Sequence, residues 1–220
     1  MSNKTLQLNR VIWPPLHTVL SVKFIYMNKT FFKVLCILLC MMGTGHLSAQ
    51  NIGAKTNFAH WATFGTINGG LEFALSRKTT LEVGGGYNCF TFKENKKFKH
   101  WLVEPELRYW TCESFNGHFF GLHAIAGEFN VGGFNLPVGR LSRIKDYRYE
   151  GYTFGVGLSY GHHWVLAPRW NFELNLGVGY AYLMYDKFNC VKCGEKLASD
   201  QKEHYLGITK AAISLIYFIK

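Results

Sequence analysis

Apolar and polar residues alternate along most of the chain after residue 50. The clearest example is the segment 170–185, where every even position is apolar or aromatic and the odd positions begin Asn171, Glu173 and Asn175. Alternation with a period of two is typical of a β-strand whose two faces meet different surroundings. Soluble strands usually have about 5–6 residues, whereas about 10 tilted residues cross a bilayer. The long segment therefore predicts a transmembrane strand.

Eight segments of this kind follow one another, separated by turn-forming residues. They cover residues 52–62, 67–75, 79–92, 98–110, 118–131, 151–163, 170–185 and 205–219. Only the connections 132–150 and 186–204 are long, and both fall on the outer side if the first strand runs outward. Short turns on one side and long loops on the other are typical of outer-membrane barrels. The sequence predicts an all-β fold, an eight-stranded antiparallel up-and-down transmembrane β-barrel, over residues 51–220.

The residues before the first strand have the pattern of an export signal. Lys29 and Lys33 form a basic start, an apolar core covers residues 34–42, and residues 47–50 resemble a cleavage region. The core is far shorter than the about 20 residues of a spanning helix. We therefore predict a cleaved signal peptide at residues 27–50, preceded by a mis-assigned start at 1–26, and a location in the bacterial outer membrane.

The predicted leader changes the charge of the chain. Residues 1–50 contain five Lys or Arg and no Asp or Glu, so their removal halves the net charge of +10. Most of the remaining charges in the eight segments share one face, away from the apolar positions. They are Lys55, Glu72, Glu82, Glu104, Glu106, Arg108, Glu173 and Lys210. Glu128 is the exception, near the outer end of its segment, where the cost of a charge facing lipid fades.

Eight strands enclose a lumen just wide enough to be filled by side chains. Charges buried in such a lumen must neutralise one another, because an unpaired buried charge is strongly destabilising. We therefore predict an ion-paired plug in which Arg108 pairs with Glu104 or Glu106. The plug would replace a hydrophobic core and fix the shape of the barrel. A gated path for small ions is the alternative.

Cys190 and Cys193 lie in the second long connection and are followed by Gly194. A CxxCG motif can form a local disulfide, a zinc knuckle or a redox pair. Zinc with four ligands needs two more donors, for which Cys89 and His204 are candidates. Disulfides are the usual outcome in an oxidising envelope. We predict a local disulfide here, with neither a metal nor another cofactor.

Basic residues are concentrated in two connections that are expected to face outward. They are Lys93, Lys96, Lys97, Lys99, Arg140, Arg143, Lys145 and Arg148. The phosphates of lipopolysaccharide suit such a surface, because Arg and Lys form charge-assisted hydrogen bonds with them. A nucleic acid would suit the same charges, but the export signal argues against it. A solvated loop without a ligand is the plainer alternative.

A catalytic alternative involves Ser159 and His123. Both point inward on neighbouring segments, with Glu104 or Glu106 one segment further. Together they supply the nucleophile, base and acid that an acyl-hydrolase acting on lipid A or phospholipid requires. No nucleophile elbow or oxyanion feature accompanies them. The sequence therefore favours a non-enzymatic barrel, with the acyl-hydrolase as the second hypothesis and a soluble lipocalin-like barrel as the third.

Several blocks of the sequence resemble the DUF3575 family of Bacteroidetes envelope proteins. They are NIGAKTN at 51–57, NKKFKHWLVEPELRYW at 95–110, FNGHFFG at 115–121, KDYRY at 145–149 and CVKCG at 190–194. The resemblance covers about residues 51–220. It implies a small outer-membrane barrel, often encoded near fimbria-type surface proteins, and brings no established activity and no catalytic residues. The expected partners are outer-membrane lipid and lipopolysaccharide, the barrel-assembly machinery and a fimbrial surface protein.

Overall fold

Eight β-strands run up and down in chain order, each paired antiparallel with the next. The computed structural model describes residues 52–93, 96–134, 144–189 and 194–219. Its elements are β1 Ile52–Asn57, α1 Phe58–Ala62, β2 Ile67–Ser76, β3 Thr79–Asn88, β4 Lys97–Trp110, β5 Gly117–Gly132, β6 Arg148–Ala167, β7 Trp170–Phe188 and β8 Lys196–Phe218. β8 pairs with β1, so the sheet closes into a barrel. The predicted all-β class and its eight antiparallel up-and-down strands are confirmed.

The two ends of the ring differ in their connections. Short turns join β2 to β3, β4 to β5 and β6 to β7, and we call this the turn end. The opposite end, which we call the loop end, carries α1 and the connections after β3, β5 and β7. The predicted signal peptide at 27–50 and the extension at 1–26 lie outside the described residues. Within the described residues, no helix has the length and apolar character needed to cross a membrane.

The first strand is shorter than the predicted segment 52–62. β1 ends at Asn57, and α1 occupies the residues that were assigned to the strand. Asn57 caps this helix, because its side-chain oxygen accepts a hydrogen bond from the backbone nitrogen of Ala59 at 2.9 Å. Asn is among the preferred N-cap residues. A single short turn of helix carries too few residues for a period of 3.6 to be recognised.

The prediction of a long connection at 186–204 is also wrong. β7 continues to Phe188 and β8 already begins at Lys196, so the connection covers only residues 189–195. Most residues of β8 from Lys196 to Tyr205 are exposed. A strand that meets water on both faces has no reason to alternate apolar with polar residues. The pattern therefore revealed only the lower part of this hairpin.

The wall of the barrel is uneven in height. β1, β2 and β3 are short, whereas β6, β7 and β8 have 20, 19 and 23 residues. β1 pairs with β8 only from Gly53 with Phe218 to Asn57 with Ser214. Beyond Ser214, β8 continues toward the loop end without β1 beside it, and α1 lies against β8 and β2 there. We call this place, where β1 ends and α1 packs against β8, the seam.

Burial in this fold is the reverse of that in a soluble domain. Apolar side chains on the outer face are exposed, with Leu158 at 66% and Val178 at 58%. The interior instead buries charged and polar side chains. A small apolar cluster, formed by Trp110, Phe115 and Phe119, closes the lumen near the turn end. The polar lumen is therefore the natural place to look for a functional site.

Candidate functional site

Arg108 lies at the centre of the lumen with no exposed side-chain surface. Its Nη1 atom donates to Glu72 Oε2 and Glu173 Oε2, both at 2.8 Å, and its Nε atom donates to Glu106 Oε2 at 2.7 Å. Its Nη2 atom also donates to Glu82. These carboxylates come from four different strands, so one guanidinium fork ties β2, β3, β4 and β7 together. Arginine suits this role because it presents five donors in a rigid plane.

Two lysines extend the network to the strands that close the ring. Lys55 on β1 lies 2.8 Å from Glu173 and 3.1 Å from Glu82. Lys210 on β8 lies 3.0 Å from Glu106 and 3.5 Å from Glu82. The structure therefore joins every residue of the sequence-derived set except Glu104 into one network. We call this network the plug.

Neutral and titratable neighbours complete the plug. Thr80 donates to Glu72 at 2.6 Å, Asn175 donates to Glu106 at 3.2 Å, and Ser159 also donates to Glu106. The Nε2 atom of His163 contacts Glu173. The sequence reasoning missed His163, although its inward parity on β6 was available as a signal. Each carboxylate of the plug thus has several donors, as a buried charge requires.

Glu104 stands apart from the plug. Its side chain is 8% exposed, yet it makes no hydrogen bond and no ion pair within 4 Å among the described residues. Of the two partners expected for Arg108, only Glu106 is one. Glu104 lies one step further toward the loop end, where it lines a cavity that is described below. The expectation that Arg108 pairs with Glu104 is therefore corrected.

Glu72, His163 and Glu173 approach each other closely enough to hold a metal ion, with ligand atoms within 4.8 Å of one another. Arg108 Nη1 already lies 2.8 Å from both carboxylates, and Lys55 Nζ lies 2.8 Å from Glu173. A divalent cation at this point would face two fixed positive charges. The arrangement has the chemistry of an ion-pair network and not that of a metal centre.

The residues of the catalytic alternative bind different partners. Ser159 donates to Glu106, while His123 Nε2 lies 2.8 Å from Thr209 Oγ1 on β8. No hydrogen bond joins Ser159 to His123. The nucleophile and base suggested for an acyl-hydrolase thus hydrogen-bond to different partners in this structure, and the acyl-hydrolase stays a hypothesis.

Gly121 provides a direct test of how tightly the plug is packed. A Cβ atom at this position would collide with Ser159 Oγ and with a carboxylate oxygen of Glu106. We expect Gly121→Ala to destabilise the barrel by about 1–3 kcal/mol, the usual cost of overpacking. Gly69→Ala is the matched control, because its added Cβ would have only one neighbour, at 4.0 Å. Urea unfolding of the two variants measures the difference, and equal stability would contradict a packed plug.

Two belts of aromatic side chains surround the outer face. The belt near the loop end includes Trp101 and Tyr152, which flank Glu128 in the register of β4, β5 and β6. Trp101 Nε1 donates to Glu128 Oε2 at 3.1 Å, so this outward-facing carboxylate has a partner. The belt near the turn end includes Trp170 and Tyr217, whose ring centroids lie 4.9 Å apart. Only apolar and aromatic side chains of β7 lie between the belts on this face.

Basic residues form a row just beyond the loop-end belt. Lys97 and Lys99 follow Trp101 outward on β4, and Lys97 pairs with Gly132, which in turn pairs with Arg148. Glu150, at the level of Lys99, is an acidic residue beside them and lies 3.7 Å from Arg148 Nη2. Partial burial and the nearby charges of Arg148 and Lys99 hold the pKa of Lys97 below its usual value. We call these three residues the basic rim. Such crowding of positive charge favours an anion, because an anion relieves the repulsion.

The other basic residues of the sequence-derived set are more scattered. Lys93 is exposed, Lys96 is half-buried, and both lie in the connection between β3 and β4. Lys145 is exposed in the connection before β6. Four predicted residues lie outside the described part of the chain. They are Arg140, Arg143, Cys190 and Cys193. The local disulfide accordingly stays a prediction.

Comparison with known proteins identifies a family but no characterised relative. The model of the family described as "Protein of unknown function (DUF3575)" matches residues 34–219. The match begins earlier than the expected residue 51, inside the stretch assigned to the signal peptide. No curated protein matches the chain. No solved structure matches it either.

Proposed function

The chain belongs to the DUF3575 family, and we propose that it is a non-enzymatic, integral β-barrel protein of the bacterial outer membrane. The reversed burial supports the membrane location. An Arg or Lys facing the middle of a bilayer costs about 2–4 kcal/mol, and the charges of β1 to β4, β7 and β8 that lie between the belts point into the lumen. In water, the large exposed apolar surface between the belts would favour aggregation.

The orientation follows from the direction of the first strand. A chain that enters the membrane after export begins on the periplasmic side, so the turn end faces the periplasm and the loop end faces outward. The tall hairpins of β6, β7 and β8 then project beyond the membrane surface. A projecting, largely polar wall offers contacts to a surface partner, and we propose a fimbrial surface protein as one such partner. Assembly into the membrane would need the barrel-assembly machinery.

The basic rim supports a contact with lipopolysaccharide. Lys97 and Lys99 lie outside Trp101 on β4, and Arg148 lies outside Tyr152 on β6 with Glu150 between them, at the level where lipid phosphates meet an aromatic belt. Arg148 has a further reason to accept an anion, because its Nε atom is buried without a hydrogen-bond partner. Its guanidinium is held in place over the ring of Phe188 at 4.0 Å. This placement of the rim is the observation that carries the proposal.

Removal of the rim charges tests this function. We expect the triple variant Lys97→Gln, Lys99→Gln, Arg148→Gln to bind lipopolysaccharide about a hundredfold more weakly, because each basic group near an anionic lipid surface contributes about 1 kcal/mol. The measurement is titration of the purified barrel with lipopolysaccharide and with its dephosphorylated form. The dephosphorylated form should bind the native protein as weakly as the intact form binds the variant.

A matched control removes three basic residues at the other end. Arg77, Lys78 and Arg169 lie at the turn end, and their replacement by Gln changes the net charge equally. The control should retain native affinity. If both triple variants lose affinity to the same extent, the attraction depends on net charge and not on the rim, and the proposed contact is wrong.

A further inference from the structure

The lumen contains a cavity between the plug and α1. It opens to solvent and is lined by Lys55, Asn57, His60, Glu104, Lys210, Ala212 and Ser214, among others. Helix α1 contributes His60, and β8 contributes the residues on the other side of the seam. The cavity lies on the loop side of the ion-paired carboxylates. Nothing in the proposed contact with lipopolysaccharide uses it.

Three buried polar groups around this cavity lack partners. Glu104 is 8% exposed and makes no hydrogen bond or close ion pair with any described residue. His60 Nδ1 and Ser214 Oγ are buried without a hydrogen-bond partner. Native proteins leave few buried polar groups unsatisfied, so three around one cavity call for a polar occupant. All three are able to accept a hydrogen bond.

The charges of the lumen indicate the sign of that occupant. Five carboxylates face three strong bases and His163, and among the described residues Glu104 is the carboxylate with no base within 4 Å. The occupant should therefore carry a positive charge. A metal ion is a poor match, because Ca²⁺ or Mg²⁺ requires about six or more oxygen ligands and Glu82 Oε2 already faces Lys55 and Lys210.

We propose that the cavity binds a primary ammonium group, whose three N–H donors would be accepted by Glu104, His60 Nδ1 and Ser214 Oγ. The number of donors equals the number of unpartnered acceptors. The histidine would adopt the tautomer that leaves Nδ1 free to accept. The ammonium could belong to a free small amine or to the head group of an amine-bearing lipid.

The seam gives a lipid head group a route to the cavity. Beyond the end of β1, the side chain of Asn57 makes hydrogen bonds to β8 that a neighbouring strand would otherwise make. Its oxygen accepts from Ile213 N at 3.1 Å, and its nitrogen donates to Ala211 O at 3.1 Å. Phe58 and Trp61 of α1 are about half exposed on the outside of this closure. Helix α1 and the side chain of Asn57 thus lie between the cavity and the outer face at this place. The lipid route rests on the proposed membrane location, whereas binding of a free amine does not.

Calorimetric titration of the purified barrel with ethylamine tests the proposal. We expect saturable binding of ethylamine and none of ethanol or tetramethylammonium, which lack the charge or the N–H donors. Glu104→Gln should weaken ethylamine binding at least tenfold. Glu113→Gln, which removes an exposed carboxylate at the turn end, should leave it unchanged. Ala212→Leu should also abolish binding, because it fills the cavity and keeps every polar group.

Lipid nanodiscs distinguish the two sources of the amine. Phosphatidylethanolamine that competes with ethylamine, while phosphatidylcholine does not, would assign the site to a lipid head group. Ethylamine binding without such competition would assign it to a free amine. Equal binding of ethylamine and ethanol, no binding at all, or full affinity in Glu104→Gln would overturn the proposal and leave a cavity filled by water. The comparison of ligands on the native protein decides the matter even if a variant fails to fold.

Discussion

Arg108→Met should destabilise the barrel by about 3–5 kcal/mol, the cost of breaking a buried ion pair from one side. The single guanidinium contacts Glu72, Glu82, Glu106 and Glu173. Its removal leaves these carboxylates facing one another with only Lys55, Lys210 and His163 as counter-ions. Urea unfolding in lipid vesicles, followed by the loss of heat-modifiable folded protein on a gel, measures the effect.

A compensating change separates this explanation from a simple loss of packing. Glu173→Gln in the Arg108→Met background removes one of the carboxylate charges that has lost its partner. The double variant should therefore recover part of the lost stability. Arg108→Lys keeps the charge but not the planar fork, and its stability should lie between those of the native protein and Arg108→Met. Strictly additive effects of Arg108→Met and Glu173→Gln would indicate that these side chains are hydrated and do not form a buried plug.

Leu176→Arg should prevent the barrel from assembling in a membrane. Leu176 lies on the outer face of β7, opposite Ala211 and Tyr160 on its neighbouring strands, and is 56% exposed. An arginine facing lipid near mid-bilayer costs about 2–4 kcal/mol, a large part of the stability of a small barrel. Fractionation of cells and the heat-modifiability of the membrane protein report the outcome.

Leu197→Arg provides the control at similar exposure. Leu197 is 48% exposed and lies near the start of β8, far beyond the loop-end belt. In water the two substitutions should be equally harmless, so equal tolerance of both would contradict a lipid-facing surface at Leu176. A lumen position is a poorer control. Asn175, for example, donates to Glu106 and is 4% exposed, so an arginine there would perturb the plug itself.

The sequence predicted the strands and the side of the wall on which each charge lies. Both follow from a local rule, because successive side chains of a strand point to opposite faces. The same rule explains why Lys55 and Lys210, far apart in the chain, both point into the lumen. The family assignment, which depended on five short blocks, is confirmed by the match over residues 34–219.

The pairing inside the lumen could not be predicted in this way. Which carboxylates contact Arg108 depends on the register of each strand pair and on how the stagger between strands adds up around the barrel. Glu104 and Glu106 have the same parity on β4, yet only Glu106 contacts Arg108. The cavity beside Glu104 depends in addition on where β1 ends and α1 begins. That boundary is set by one capping residue, Asn57, and not by a periodic pattern.

The uneven wall escaped the sequence reasoning for a different reason. The upper part of β8 is held by pairing with β7, from Ala181 with Tyr205 to Phe188 with Lys196. Such pairing needs no amphipathic pattern when both faces meet water. Hydrogen bonding to a neighbouring strand can therefore extend a hairpin well beyond the alternating apolar positions from which the hairpin is predicted. The projecting wall, where surface contacts are proposed, was the part of the fold least visible in the sequence.

The central claim is that the barrel crosses the outer membrane with its loop end outward, and two native cysteines test it directly. Cys89, beside the loop end of β3, and Cys112, in a turn at the opposite end, are both free and exposed. Two variants of the exported chain, each keeping one of them and carrying Ser at its other cysteines, would be treated on intact cells with a membrane-impermeant maleimide. We expect Cys89 to react on intact cells and Cys112 to react only after the outer membrane is permeabilised. Equal reaction of both cysteines, or recovery of the protein in the soluble fraction, would contradict the account.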